Sequence, residues 1–188
     1  AGASWVCLHP RTAEQKRRGK ADWTQITQLK KSILIPVIGN GDIQTVEDVL
    51  AMLRETNCDL AMAGRALAAR PWMVWQLGER LGFEPSDSEV LRDKSGCLRK
   101  TPETPTEEGA EYGRTLLQLI HYLRMYFSED LSIRKFRFHV RNTCVWLLFG
   151  HSLHSWVTKA KTLNEIEEAV LNFFQEPVEM SPRTELRE

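Results

Sequence analysis

ILIPVIGNGDIQTVEDVLAMLRETNCDLAMAGRALAARPW, residues 33–72, sets two short apolar runs on either side of one amphipathic segment. The first run, Ile33 to Ile38, does not alternate apolar and polar residues. That is the pattern of a strand covered on both faces, hence of a parallel sheet. Val46, Val49, Leu50 and Leu53 follow at helical spacing, with Thr45 placed as N-cap and Asp48 in the box position. Asn57 is placed to close that helix in the left-handed conformation. A second apolar run over 58–63 completes a strand–helix–strand unit, whose crossover is expected to be right-handed. Each run ends in a small polar cluster, Asn40-Gly41-Asp42 after the first and Gly64-Arg65 after the second. Parallel α/β sheets carry their chemistry at the C-terminal strand ends. Gly41 and Gly64 let backbone N–H groups come close to a ligand, and Arg65 supplies a forked cation suited to phosphate.

Composition narrows the class without naming a partner. The chain has 188 residues, 42% hydrophobic and 27% charged, with a formal net charge of +0. That is the balance of a globular protein, so any nucleic-acid surface must be a local patch. Cys7, Cys58, Cys97 and Cys144 are far apart and show no metal-ligand spacing, so no metal site is expected. Reduced thiols and a cytoplasmic location are the expectation. No apolar run is long enough to span a bilayer, and no membrane partner is expected.

Three stretches in order resemble one family. HPRTAEQKRRGKADW (9–23), IPVIGNGDI (35–43) and MAGRALAARPW (62–72) look like the closing strands of a tRNA-dihydrouridine synthase. The family pattern runs His-Gly-Arg-Thr, Gly-x-Ala-Asp-Trp, Pro-Val-Ile-x-Asn-Gly-Asp, then Gly-Arg followed by Pro-Trp. Pro10 stands where the pattern has Gly, which removes a backbone N–H from that corner. The similarity continues weakly to about residue 175.

The resemblance implies an α/β fold: the C-terminal part of an FMN-binding (β/α)8 TIM barrel, followed by a small all-α helical bundle. The chain starts with Ala1 and enters an apolar run, Ala3 to Leu8, at once. It is therefore expected to be a C-terminal piece holding strands six to eight. The resemblance also implies FMN-dependent reduction of the C5=C6 bond of uridine in tRNA, with NADPH as reductant. The protein is expected to act as a monomer. His9, Asn40, Gly41, Asp42, Gly64 and Arg65 are the implied cofactor-binding residues, and His9 also lies near the substrate base. The family's proton-donating cysteine belongs upstream, so no catalytic residue is expected within this fragment.

Beyond the expected barrel part, 1–84, the periodicity fades. Pro85, Ser86, Gly96, Pro102 and Pro105 punctuate a polar stretch, read as a linker over 85–109. Three helical stripes then define a domain over 110–176. They are Tyr112–Phe127, Ile133–Leu147 and Leu163–Phe173, the last opened by a capping box from Thr162 to Glu165. A polar tail, 177–188, is expected to fray. The second helix carries Arg134, Arg137 and Arg141 at i, i+3, i+7, with Lys135 and His139 alongside. Arg134, Lys135, Arg137 and Arg141 form a basic face suited to RNA phosphates. The loop Lys16 to Lys20 is a further basic segment. Two other classes stay open: another phosphate-binding TIM-barrel flavoenzyme, which would not need the basic helical part, and a non-catalytic tRNA-binding protein, which would carry no flavin.

Overall fold

The computed structural model describes residues 2–15, 19–83, 97 and 99–184. Most of the expected linker, and Lys16, Arg17 and Arg18 of the basic loop, lie outside the described residues. The chain divides into two compact units. One holds Ala1–Leu67 and takes up the chain again from Arg183; the other is Ala68–Pro182. The expected first domain runs to 84, whereas the first unit ends at Leu67.

The first unit is a three-stranded parallel sheet with helices. Strands β1 (Val6–Leu8), β2 (Val37–Asn40) and β3 (Leu60–Met62) lie in that order. Val6 pairs with Val37, and Asn40 with Met62. Helix α1 (Thr24–Ser32) joins the first two strands and α2 (Val46–Thr56) the next two. The strand expected over 33–38 is shifted forward, because Pro36 has no N–H to give a ladder. Its carbonyl instead accepts from Val6 N at 3.0 Å. Lys30 and the Val37 N–H both bond Asp59, joining the end of α1 to the base of β3.

Helix α2 is built as its sequence predicts. Thr45 Oγ1 accepts from Asp48 N at 3.3 Å, and Asp48 Oδ2 accepts from Thr45 N at 3.0 Å. Asn57 closes it with φ 55°. Ahead of α1, the Asp22 carboxylate accepts from Thr24 N at 3.1 Å, but the N-cap position is taken by Trp23, with no side-chain cap bond. Arg183, expected in a frayed tail, pairs with Asp48 at 2.6 Å. Burial alone would raise the Asp48 carboxyl. The bonds from Arg183 and from the N–H groups of Gln44 and Thr45 outweigh it and hold it low.

The second unit is helical. It comprises α4 (Met73–Arg80), α5 (Pro105–Tyr126), α6 (Glu129–Thr143), α7 (Gly150–Lys159) and α8 (Leu163–Phe173). A short helix, α3 (Arg65–Ala69), spans the division between the units. Tyr112, Leu116 and Ile120 of α5 are fully buried, with Phe136 and Val140 of α6, Leu153 and Val157 of α7, and Ile166 and Val170 of α8. Where three helical stripes are expected, four helices pack. Helix α5 also starts earlier, at Pro105, behind a complete capping box between Thr104 and Glu107. Phe127 is not part of the buried stripe: it ends α5 in an extended conformation and is exposed. At α8 the box is half formed, since Glu165 takes the Lys161 N–H instead of that of Thr162. The buried Tyr112 hydroxyl bonds Thr143 Oγ1 at 2.7 Å, and Thr143 donates onward to His139 O at 2.8 Å. The phenol is therefore the donor of the first bond, and burial pushes its pKa up.

The segment 178–182 is held in place. Met180 is buried, and its N–H donates to Pro105 O at 3.0 Å; Ser181 N donates to Trp146 O at 2.7 Å. A Cβ on Gly109 would lie 1.7 Å from Val178 O, so only glycine lets this segment approach α5. Arg70 organises the surroundings. It is 2% exposed, pairs with Glu108 at 3.1 Å, stacks on Trp146 at 5.2 Å and donates to the carbonyls of Ser181 and Pro182. Glu108 also accepts from Trp72 Nε1 and Gln76 Nε2, both at 3.2 Å. Removing one member of a buried ion pair strands the other, at a cost of about 3–5 kcal/mol. Arg70→Ala should therefore lower the stability of the helical unit by that amount in a urea titration. An unchanged midpoint would show that the pair contributes little.

Candidate functional site

The three strand ends of the first unit place their polar clusters at one edge of the sheet. His9, Pro10 and Arg11 follow β1; Asn40 ends β2, with Gly41 and Asp42 next; Gly64 and Arg65 follow β3. The sheet is parallel throughout, so all these ends point the same way.

The first two clusters are locked together by charge. Arg11 Nη2 bonds Asp42 Oδ1 at 2.8 Å and Oδ2 at 2.9 Å, and also reaches Gly19 O at 2.7 Å. The Ala21 N–H donates to Asp42 Oδ2 at 2.5 Å. The side chains of Arg11 and Asp42 are only 4% and 13% exposed, so the pair is largely withdrawn from water. Arg11 Nε is buried and has no hydrogen-bond partner among the described residues. Two further bonds hold the loop that runs back to α1. Trp23 Nε1 donates to Gly41 O at 3.1 Å, and Asp22 N donates to Pro10 O at 3.0 Å. Pro10 thus contributes its carbonyl to this corner, a bond that needs no N–H.

Gly41 is required here on two counts. Its φ is +122°, and an added Cβ would sit 2.7 Å from the Ala21 Cβ. The imidazole of His9 lies 3.7 Å from the same point, so an exposed histidine stands directly beside a bare stretch of backbone. Asp42 itself has φ 58°, a left-handed conformation that aspartate tolerates better than most residues. Its carboxylate latches the His9 loop to the end of β2 and does not cap α2. A Cβ on Gly64 would meet nothing within 4 Å, and Arg65 is exposed beside it. That corner is open space with a cation at its rim.

Arg11 is the residue that reading the motif leaves without a role. Its signal is its place two residues after His9, at the end of an apolar strand, where a charged side chain has to find a partner or reach solvent.

The basic helix in the second unit is only partly a face. Arg134, Lys135 and Arg141 are exposed. Lys135 Nζ stands 4.7 Å over the ring of Phe127. Arg137 is turned inward: its Nε donates to Val157 O at 3.3 Å and its Nη2 to Ala160 O at 2.5 Å. These are carbonyls at the end of α7, where a cation also suits the helix dipole. His139 is half-buried, its Nε2 has no partner among the described residues, and desolvation lowers its pKa. Among the described residues no cluster of His, Cys, Asp and Glu could hold a metal ion, and no helix is long and apolar enough to cross a membrane. Cys7, Cys58 and Cys144 are free thiols.

Comparison with known proteins converges on one family. The family model described as Dihydrouridine synthase (Dus) matches residues 1–178. A probable tRNA-dihydrouridine synthase of Mycobacterium leprae (strain TN) is 37% identical over 172 residues, which is 88% of this chain and 39% of that protein. The tRNA-dihydrouridine synthase B of Xanthomonas axonopodis pv. citri (strain 306) is 30% identical over 139 residues, 74% of this chain and 37% of that protein. A probable tRNA-dihydrouridine synthase of Aquifex aeolicus (strain VF5) is 40% identical over 84 residues. The chain thus spans roughly two fifths of the length of the first of these relatives. With nearly its whole length matched by the family model, the chain belongs to the dihydrouridine synthase family.

Proposed function

We propose that this chain supplies the closing strands of an FMN-binding (β/α)8 barrel and a tRNA-binding helical domain of a tRNA-dihydrouridine synthase. The enzyme would reduce the C5=C6 bond of a uridine in tRNA with NADPH, in the cytoplasm and as a monomer. The observation that carries this reading is the edge where His9 stands against the bare Gly41 backbone, latched by Arg11 and Asp42, in a chain of this family.

The residues present fit a flavin mononucleotide. A cradle closed to any Cβ at Gly41, an open corner at Gly64 and an exposed guanidinium at Arg65 suit a planar ring system with a phosphate tail. Asn40, Gly41, Gly64 and Arg65 would hold the cofactor, with Asp42 acting through its bond to Arg11. When bound, FMN supplies the hydride chemistry, and the protein supplies position and electrostatics. His9 presents an exposed imidazole that can donate a hydrogen bond to a carbonyl of the target base, which must leave its stack to arrive there. Arg65 offsets the phosphate charge. The proton for C5 is assigned to a group outside these 188 residues, in keeping with the share of the relatives that the chain covers.

Three outcomes test this reading. In the holoenzyme that carries these residues, Arg65→Ala should weaken FMN binding about tenfold or more, since a charge-assisted hydrogen bond contributes roughly 1.5–3 kcal/mol. An unchanged dissociation constant in a flavin titration would remove Arg65 from the site. The 188-residue chain alone, given FMN, NADPH and unmodified tRNA, should form no dihydrouridine. Turnover would place the proton donor among its own cysteines. On the basic helix, replacing Arg134, Lys135 and Arg141 together with Ala should weaken tRNA binding and lower the salt slope by about three. Arg137→Ala should leave that slope unchanged and lower the melting temperature instead, because its guanidinium caps α7. A slope that falls with Arg137→Ala would reverse the assignment.

A further inference from the structure

Helix α6 presents an aromatic residue where amphipathic helices carry polar ones. Phe138 is 70% exposed. It lies four residues after Arg134 and three before Arg141, so the three side chains form one stripe on the helix surface. Both arginines are exposed, and among the described residues neither forms an ion pair. Lys135 flanks the stripe, held over the Phe127 ring. Two acidic residues open α6: Glu129 is engaged elsewhere, accepting from Leu163 N at 3.1 Å, and Asp130, four residues before Arg134, forms no ion pair with it among the described residues.

A stripe ordered Arg, Phe, Arg needs a partner that offers negative charge and an apolar plane at the same few ångströms. An apolar protein surface would desolvate two uncompensated guanidinia. An acidic protein surface would satisfy the arginines and leave the ring facing carboxylates. An unpaired nucleotide offers both, with phosphates on its strand and a flat base to stack. We propose that Phe138 is a stacking platform for an unpaired base of the RNA, with Arg134 and Arg141 holding the phosphates on either side. This rests on the tRNA-binding reading above and adds to it a contact with a base, where the arginines alone would see only backbone. The helix then distinguishes a folded RNA with an unstacked nucleotide from a plain duplex.

The test measures binding of the 188-residue chain to an unmodified tRNA transcript and to a fully paired RNA duplex, each over a range of salt. Phe138→Ala should weaken tRNA binding about tenfold. It should leave the salt slope and the duplex affinity unchanged. Phe138→Tyr should restore tRNA binding and Phe138→Leu should not, because leucine keeps the apolar contact and loses the flat face. Arg134→Ala or Arg141→Ala should instead lower the salt slope by about one for both RNAs. Because the side chain is exposed, unchanged melting curves will show that each variant is folded. Wild-type affinity for tRNA in Phe138→Ala, or full rescue by leucine, would overturn the stacking role and leave the tRNA-binding reading standing. A wild-type chain that binds neither RNA would overturn both.

Discussion

The site end of the sheet depends on one carboxylate. Asp42 is met by Arg11 from the loop after β1 and by the Ala21 N–H from the approach to α1. Three stretches of chain therefore share one pair of oxygens. Both charged side chains are mostly withdrawn from water, so neither can be changed alone without stranding the other. The arrangement also explains the left-handed backbone at Asp42 and the bare backbone at Gly41. To bring the carboxylate under the His9 loop, the chain must turn sharply just after β2. The residue at the turn must then have no Cβ, because one there would sit 2.7 Å from the Ala21 Cβ.

The helical unit uses a buried cation in a comparable way. Arg70 stands among Glu108, Trp146 and the carbonyls of Ser181 and Pro182, in a place where an aliphatic side chain could have filled the volume. A hydrophobic residue would bury as much area but could not choose among neighbours. The guanidinium fork demands acceptors in fixed directions, so it sets where the chain lies after α8. Arg137 does the same on a smaller scale at the end of α7.

Local signals were legible and distant partnerships were not. Thr45, Asp48 and Asn57 behave as their residue types require, because caps are decided within one turn of the chain. Thr104, Pro105 and Glu107 carry an equally local signal for the start of α5, which the surrounding prolines and glycine masked. Helix α7 has little apolar periodicity to read. Within GHSLHSWVTK the buried side chains are Leu153 and Val157, and the helix opens on Phe149 in a left-handed conformation. The polar clusters at the strand ends could be placed because a parallel sheet puts them there. Which members contact one another could not, since Arg11 and Asp42 are 31 residues apart and Arg137 and Ala160 are 23 apart. The partner of one residue of the basic face was hidden for the same reason. Helical spacing alone put Arg137 beside Arg134, and only the position of α7 shows it turned inward.

The docking of residues 178–182 sets an order of assembly. Arg70 finds two of its acceptors 111 and 112 residues later in the chain, and the start of α5 receives Met180 N only when the end of the unit exists. On the ribosome, helices α5 to α8 can pair with their neighbours as they emerge, but the unit cannot close. Until the last of these residues leaves the exit tunnel, a charged guanidinium and a glycine-lined groove wait uncovered. The nascent chain therefore stays open to chaperones and proteases until Pro182 has emerged from the tunnel.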